Sequence, residues 1–561
     1  MNPAGYTIIL AVCLVAATAG QVQAVNRQDI GMRDPFVYCD TASGKCYMYG
    51  TTGTFDRKQG FDVRETSDPT LQTWNEPKPV WRKPADFWGV WAYWAPEVHA
   101  YKGKYYLFAT FEAPGKARAV QILAADSPMG PFHVHSPEPV TSPEYFSLDG
   151  TLYLDKKGDP WLVYSREHVS VHDGEMRAVR LKPDLTAPLP GATDILLFKA
   201  SACPYAAHWN NKDGSQSYLT DGPQMLRLSS GELVMVWSTN NYLPKPIFWG
   251  YAIAVARSTS GEIEGPWVQE PKPLYNGFAG HGMIFRHPTM GLVLSMHQPN
   301  NGGRPYPLFL SVYEANGKLT MGDPSTPSYV QAYWRFEDLT PGREALPSID
   351  ILDSSDKGNH LRGADHATVG SGSASVPAAT IPATKRVNLA CYDNSEAAKD
   401  GADARYLSTA DDPINKLLLK SWTIEASICP ADLSKPQVFI ASDGANLSSG
   451  LTADGRVEIR CNGQSVVSRE SLTTGKWYNL AAVRDPANLR LYIDAMDGKG
   501  FALDTSVKLT DHAPCEGRWT IGCGMRGGKP ADQFGGLIDE IRISGKALMP
   551  GSLLFARKAG R

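Results

Sequence analysis

The chain has 561 residues, too many for one ordinary core, and a length of this order divides most naturally into two large folding units. Its 55 Lys and Arg stand against 58 Asp and Glu, and a net charge of -3 marks no electrostatic partner and disfavours nucleic acid or an anionic membrane surface. With 14 Trp, 24 Tyr, 52 Gly and 41 Pro, the composition is that of a turn-rich β protein well supplied with flat aromatic faces, the kind that stack on sugar rings.

In chain order, the first feature is the apolar run Tyr6 to Ala17, too short to span a membrane, followed by Val22-Gln23-Ala24, which fits a small-x-small cleavage site. Residues 1–24 read as a secretory signal peptide, which predicts an exported protein, periplasmic, surface-bound or extracellular, with no transmembrane span once the signal is removed. Beyond it lie Cys39, Cys46, Cys203, Cys391, Cys429, Cys461, Cys515 and Cys523, an even set for which an oxidising compartment permits disulfides. Cys39 and Cys46 flank the turn residues Asp40 to Lys45 and could meet across a hairpin, and none of the spacings resembles a zinc site.

Between Arg33 and Pro299 one pattern recurs five times: a polar or acidic residue, a run of β-formers, a Gly-containing turn, then a strand rich in aromatic and aliphatic residues. The copies open at Asp34-Pro35-Phe36, Trp94-Ala95-Pro96-Glu97, Leu148-Asp149-Gly150, Thr220-Asp221-Gly222-Pro223 and Gly280-His281-Gly282. Each gap holds further short strands, so every copy makes a unit of about four strands, and 25–325 is predicted to be a five-bladed β-propeller. The innermost strand of a blade runs beside the central channel. Residues at the repeat starts should therefore converge, and these are Asp34, Glu97, Asp149, Asp221 and His281. Aromatic side chains near them, Phe36, Trp91, Trp94 and Phe146, together with His208, are candidates to frame a substrate pocket.

The pattern changes over 326–350, a linker or the start of a second unit. From 351 to 561 the alternating runs around Trp422, Trp477, Leu489 and Gly536 suit an antiparallel β-sandwich, and no long helical periodicity appears, so the fold class is all-β.

Four carboxylates and an imidazole at one channel mouth suit glycosidic bond hydrolysis. An inverting enzyme needs one carboxyl to protonate the leaving oxygen and a second to deprotonate water on the opposite face, about 6.5–9.5 Å away. A third carboxylate can hold the acid protonated by like-charge repulsion.

Arg33-Asp34-Pro35, Trp94-Ala95-Pro96, Ser147-Leu148-Asp149-Gly150, Asp221-Gly222-Pro223 and Gly280-His281-Gly282 come in the order seen in glycoside hydrolase family 43, which the chain resembles over roughly 28–320. The resemblance implies an inverting hydrolase of arabinose- or xylose-containing plant-type poly- or oligosaccharides, of the α-L-arabinofuranosidase or β-xylosidase type. It makes Asp34 the general base and Asp149 the residue that tunes the acid. The third position departs from the pattern, with Asp221-Gly222-Pro223 where Glu-Gly-Pro is usual. Asp221 is the first candidate for the acid and Glu97 the alternative, and a carbohydrate-binding propeller without turnover is the competing reading. In similar enzymes a histidine at the place of His281 helps hold a hydrated calcium ion on the axis, and nothing calls for an organic cofactor. The fructan and sucrose hydrolases share the architecture, but the first blade here lacks their Asn-Asp-Pro-Asn motif. The C-terminal part resembles concanavalin-like or laminin-G-like jelly rolls through Trp422-Thr423-Ile424-Glu425-Ala426, Trp477-Tyr478-Asn479-Leu480 and Gly536-Leu537-Ile538-Asp539-Glu540. Trp422 and Trp477 are expected inside the sandwich, and Asp539 either supports a calcium site or satisfies a buried loop. The role of this unit, in binding polysaccharide, completing the active-site rim or stabilising the propeller, and the oligomeric state are open at this point.

Overall fold

The computed structural model describes residues 24–556 except 53–58, 243–248, 278, 301–302, 323–325, 340, 343, 345–349, 364–369, 399–403, 410–411, 417–418, 443–446 and 511–516. The expected signal segment lies outside the described residues up to 23, and Cys515 is outside them as well. No helix among the described residues is long and apolar enough to cross a membrane.

Five antiparallel sheets make the first unit, and each begins at its innermost strand: Arg33–Asp40, Trp91–Tyr101, Ser147–Leu154, Asp221–Arg227 and Gly280–His287. Four of the blades have four strands. The fourth blade adds Tyr275–Gly277 beside Trp249–Ser258. Tight hairpins such as Lys102-Gly103 and Asn316-Gly317 have positive φ at both turn residues, which is why Gly recurs there in the sequence. Cys39 and Cys46 sit opposite each other across the first hairpin and are joined by a disulfide. Apolar residues fill the wedges between blades; Phe108, Val120, Ile122, Leu162 and Tyr164 pack between the second and third.

All five inner strands carry the same irregularity. Between Arg33 and Phe36, Trp94 and Glu97, Leu148 and Thr151, Asp221 and Gln224, and Gly280 and Met283, three residues advance while the partner strand advances two. This is a β-bulge, and its first residue has positive φ in every blade: Asp34 52°, Ala95 42°, Asp149 53°, Gly222 45° and His281 52°. The structural equivalents of Asp34 are therefore Ala95, Asp149, Gly222 and His281. Asp221 stands one residue before the bulge and Glu97 just after it, so the expected equivalence of all five motif residues holds only for Asp34, Asp149 and His281.

Opposite the residue that precedes each bulge, the second strand presents Thr51, Thr110, Ser165, Ser238 or His297. Each of these bonds the backbone of the next blade at or beside its bulge. Thr51 Oγ1 accepts from Ala95 N–H at 2.8 Å, Thr110 Oγ1 from Asp149 N–H at 3.0 Å, and Ser238 Oγ from Gly282 N–H at 3.3 Å. Ser165 Oγ donates to Thr220 O at 2.9 Å, and His297 Nδ1 accepts from Asp34 N–H at 3.2 Å, closing the circle from the fifth blade to the first.

The second unit is a sandwich of two eight-stranded antiparallel sheets over one core that includes Trp334, Trp422 and Trp519. Val330–Trp334, inside the stretch expected to be a linker or the start of the second unit, is already a sandwich strand and pairs with Gly536–Ser544. Trp422 is fully buried as expected, whereas Trp477 precedes its strand and is only half-buried. Asp539 accepts hydrogen bonds from Asn388 Nδ2 at 2.8 Å and Glu540 N–H at 2.9 Å, which satisfies a buried loop. The two units touch where Gln28 Nε2 donates to Asp338 O at 2.8 Å.

Thr110 is fully buried, and Thr110→Val keeps its shape while stranding Asp149 N–H. The variant should lose about 1–3 kcal/mol of stability in urea unfolding, and an unchanged midpoint would show that the inter-blade bonds do not carry the ring.

Candidate active site

At the propeller mouth a cavity of about 300 Å³ is lined by Asp34, Asp149, Glu167, Asp221, His281 and Trp94, with Arg33 and Thr51 beside Asp34. The bulges explain the convergence, because a left-handed residue at the end of an inner strand turns its side chain out of the pleat toward the axis. His281 Nδ1 lies 3.5 Å from Asp34 Oδ1, 3.6 Å from Asp149 Oδ2 and 3.8 Å from Asp221 Oδ1. Asp34 Oδ2 also accepts the Thr51 hydroxyl at 2.6 Å, and Gly222 N–H donates to Asp149 Oδ2 at 3.0 Å. Tyr251 donates its hydroxyl to Asp221 Oδ2.

This arrangement divides the protons unequally. Burial opposes ionisation of Asp34, but the His281 ring, then His297 and Arg33, hold its carboxyl well below the usual carboxylate range. Asp149 moves the other way: burial first, then the charge of Asp221 and the hydrogen bond shared with it, push Asp149 far above that range. Glu167 is pushed up to about 7 by burial and by Asp221, against the opposing Arg118 guanidinium to which its Oε2 is paired. Carboxyls driven in opposite directions, Asp34 down and Asp149 and Glu167 up, thus line one small cavity, the combination that acid–base chemistry on a single substrate bond needs.

Asp149, Asp221 and His281 offer ligand atoms within 4.8 Å of one another, the only such group among the described residues. The chemistry of this set, two carboxylates beside an imidazole with Asp34 next to them, fits a hard divalent cation that binds oxygen.

The remaining predicted residues fall elsewhere. Glu97 is buried and its Oε2 lies 3.1 Å from His99 Nε2, and it does not line the cavity. Phe36 is buried with His99 edge-on to it at 5.3 Å, and Trp91 is 45% exposed outside the lining. Trp94 does line the cavity, yet Arg118 stacks on its ring at 4.4 Å and lies 5.6 Å from the Phe146 ring. His208 is 2.9 Å from Gln216 Nε2, away from the lining.

Glu167 is the lining carboxyl that motif reasoning passed over. It follows the second strand of the third blade, and its N–H donates to Phe146 O at 2.9 Å. The signal for it was the hairpin: antiparallel pairing of Ser147 with Arg166 returns the end of the second strand to the mouth where the first strand begins. A wider groove of about 890 Å³ lies on the sandwich. Its lining includes no aromatic side chain, and its Glu458 and Asp532 are paired with Arg460 and Arg526, each at 2.9 Å.

The chain is thus a five-bladed propeller joined to a β-sandwich, with a carboxyl-lined cavity at the mouth of the propeller. The model of the glycosyl hydrolases family 43 matches residues 30–310, half of the chain, and the chain belongs to that family. A second model, the concanavalin A-like lectin/glucanases superfamily, matches 400–553. The extracellular endo-alpha-(1->5)-L-arabinanase 1 of Bacillus subtilis (strain 168) is 27% identical over 128 residues, which span 21% of this chain and only 38% of that relative. Among solved structures, an endo-arabinase from Bacteroides thetaiotaomicron VPI-5482 is 36% identical, covering 52% of this chain and 98% of its own, with a TM-score of 0.47. An endo-1,4-beta-xylanase from the same organism is 25% identical over 54% of this chain and 97% of its own, with a TM-score of 0.42.

Gly222 has φ 45°, and a Cβ there would meet the His281 ring at 3.1 Å. Gly222→Ala should lower stability by about 1–2 kcal/mol and move His281 off the axis. Thermal unfolding and a crystal structure of the variant would check this; an unmoved ring and an unchanged melting temperature would contradict it.

Proposed function

We propose that the chain is an exported inverting glycoside hydrolase that cleaves arabinose- or xylose-containing plant-type poly- or oligosaccharides. The observation that carries this reading is that one cavity of about 300 Å³ is lined both by Asp34, held below the usual carboxylate range, and by Asp149 and Glu167, pushed above it. Asp34 takes a proton from water as its oxygen attacks the anomeric carbon, the glycosidic C–O bond breaks on the opposite face, and a carboxylic acid gives its proton to the departing oxygen. The charge of Asp221 raises both Asp149 and Glu167 and so opposes ionisation on the acid side of the cavity. Asp221 and Glu167 are the two carboxyls positioned to donate. Family membership and the arabinanase relative support the substrate class. The Cys39–Cys46 disulfide supports passage through an oxidising compartment, in agreement with the signal-like N-terminal sequence.

Asp149, Asp221 and His281 would hold a calcium ion, His281 through a bound water. When bound, the ion offsets the charge of the axial carboxylates and fixes their positions.

A panel of aryl glycosides and arabinose- or xylose-bearing oligosaccharides tests the reading. At least one member should turn over with inverted product anomers, and Asp34→Ala should lower kcat by about 10²–10⁴-fold. Binding of oligosaccharide with no turnover would leave a carbohydrate-binding propeller instead. For the ion, elemental analysis should find one calcium per chain in the intact protein and none in His281→Ala, and calcium retained by that variant would exclude the assignment.

A further inference from the structure

Resting on the hydrolase reading, the remaining question is which carboxyl gives up its proton. Both oxygens of Asp221 are already engaged. Its Oδ2 holds the Tyr251 hydroxyl, its Oδ1 turns to His281, and it shares a hydrogen bond with Asp149. Asp34 and Asp221 also reach the same His281 nitrogen, at 3.5 and 3.8 Å. Two oxygens so close to one atom attain at most the short end of the about 6.5–9.5 Å that an inverting pair needs for its water.

Glu167 is held differently. It lines the same cavity, directly follows the second strand of the third blade, and has one more methylene than the aspartates. Arg118, on the strand Lys116–Ala125 of the second blade, fixes its Oε2, and Oε1 takes no hydrogen bond among the described residues. Arg118 is itself held by Glu112 at 2.9 Å and by the Trp94 and Phe146 rings, so the carboxyl is presented from a rigid wall. The structure assigns Glu167, in place of Asp221, as the catalytic residue that protonates the departing glycosidic oxygen, with Arg118 as its positioning residue. The Oε1–H bond breaks as the new O–H bond forms on the leaving group, and the negative charge left on Glu167 is taken up by Arg118.

The charged and titratable groups around Glu167 are Arg118 and Glu112 from the second blade, Asp221 from the fourth, and the adjacent His168. Their balance with burial places the carboxyl at about 7. A donor must be protonated, so turnover should fall as pH rises through that value.

The decisive experiment compares two aryl glycosides of a sugar that the intact protein hydrolyses, one with a phenyl and one with a 2,4-dinitrophenyl leaving group. Glu167→Gln keeps the volume and an oxygen acceptor for Arg118. It should lose about 10²–10⁴-fold in kcat on the phenyl glycoside, less than tenfold on the dinitrophenyl glycoside, and its alkaline limb. Asp221→Asn should lower both substrates by the same factor. Equal losses on both substrates in Glu167→Gln, or a leaving-group-dependent loss in Asp221→Asn, would overturn the assignment while leaving the hydrolase reading intact. An intact protein that hydrolyses no glycoside would overturn both. Should Glu167→Gln fail to fold, Glu167→Asp, which draws the carboxyl back by one methylene, must show the same substrate dependence in weaker form or the assignment fails.

Discussion

The hydrogen bond from the second strand of one blade to the bulged backbone of the next is the contact on which the propeller depends. A bulge leaves backbone groups without ladder partners, and at the centre of a ring there is little water to satisfy them. Thr51, Thr110, Ser165, Ser238 and His297 supply those partners at the five joints. One device therefore does two things: it locks neighbouring blades in register, and it stabilises the left-handed conformations that turn Asp34, Asp149 and His281 to the axis. Thr51 joins the two roles in a single hydroxyl, which accepts from the second blade and donates to Asp34.

Crowding carboxyls around one imidazole in a buried cavity is costly if all of them ionise. The molecule avoids that cost by giving each a different neighbourhood. Asp34 faces imidazoles and a guanidinium, Asp149 faces another aspartate, and the buried Glu167 faces one arginine. The polarity of the site is thus a product of its surroundings and not of the acids themselves. Arg118 links this electrostatic arrangement to the aromatic one, since the cation that pairs with Glu167 also covers Trp94.

Much of this was legible in the sequence because it is written in local chemistry. Five strand–turn–strand repeats, the Gly turns and the Cys39–Cys46 pairing follow from alternation and turn residues. Asp34, Asp149, Asp221 and His281 were found because they stand at repeat starts. What the sequence hid is register. A bulge shifts equivalence by one or two residues, so Glu97 looked like a partner of Asp34 although it falls beyond the bulge and pairs with His99. Glu167 was hidden for a different reason, since it sits at the far end of a hairpin, where no repeat begins. Trp477 and the strand Val330–Trp334 show the same limit in the second unit, where aromatic and polar patterns mark strands without saying which chain segments they join.

The pairing of Val330–Trp334 with Gly536–Ser544 fixes the order in which the polypeptide can settle as it leaves the ribosome. Blade one is joined to blade five through Asp34 and His297, so the ring can close once about residue 310 has emerged. The sandwich has no such early option. Its first strand must wait for one of its last, some two hundred residues later, although hairpins such as Gln437–Ser442 with Leu447–Leu451 and Tyr478–Arg484 with Asn488–Asp494 can pair as they appear. A nascent chain would therefore carry a finished propeller and an unfinished second unit while the stretch from about residue 321 to residue 544 is made, the interval in which chaperones would have most to protect.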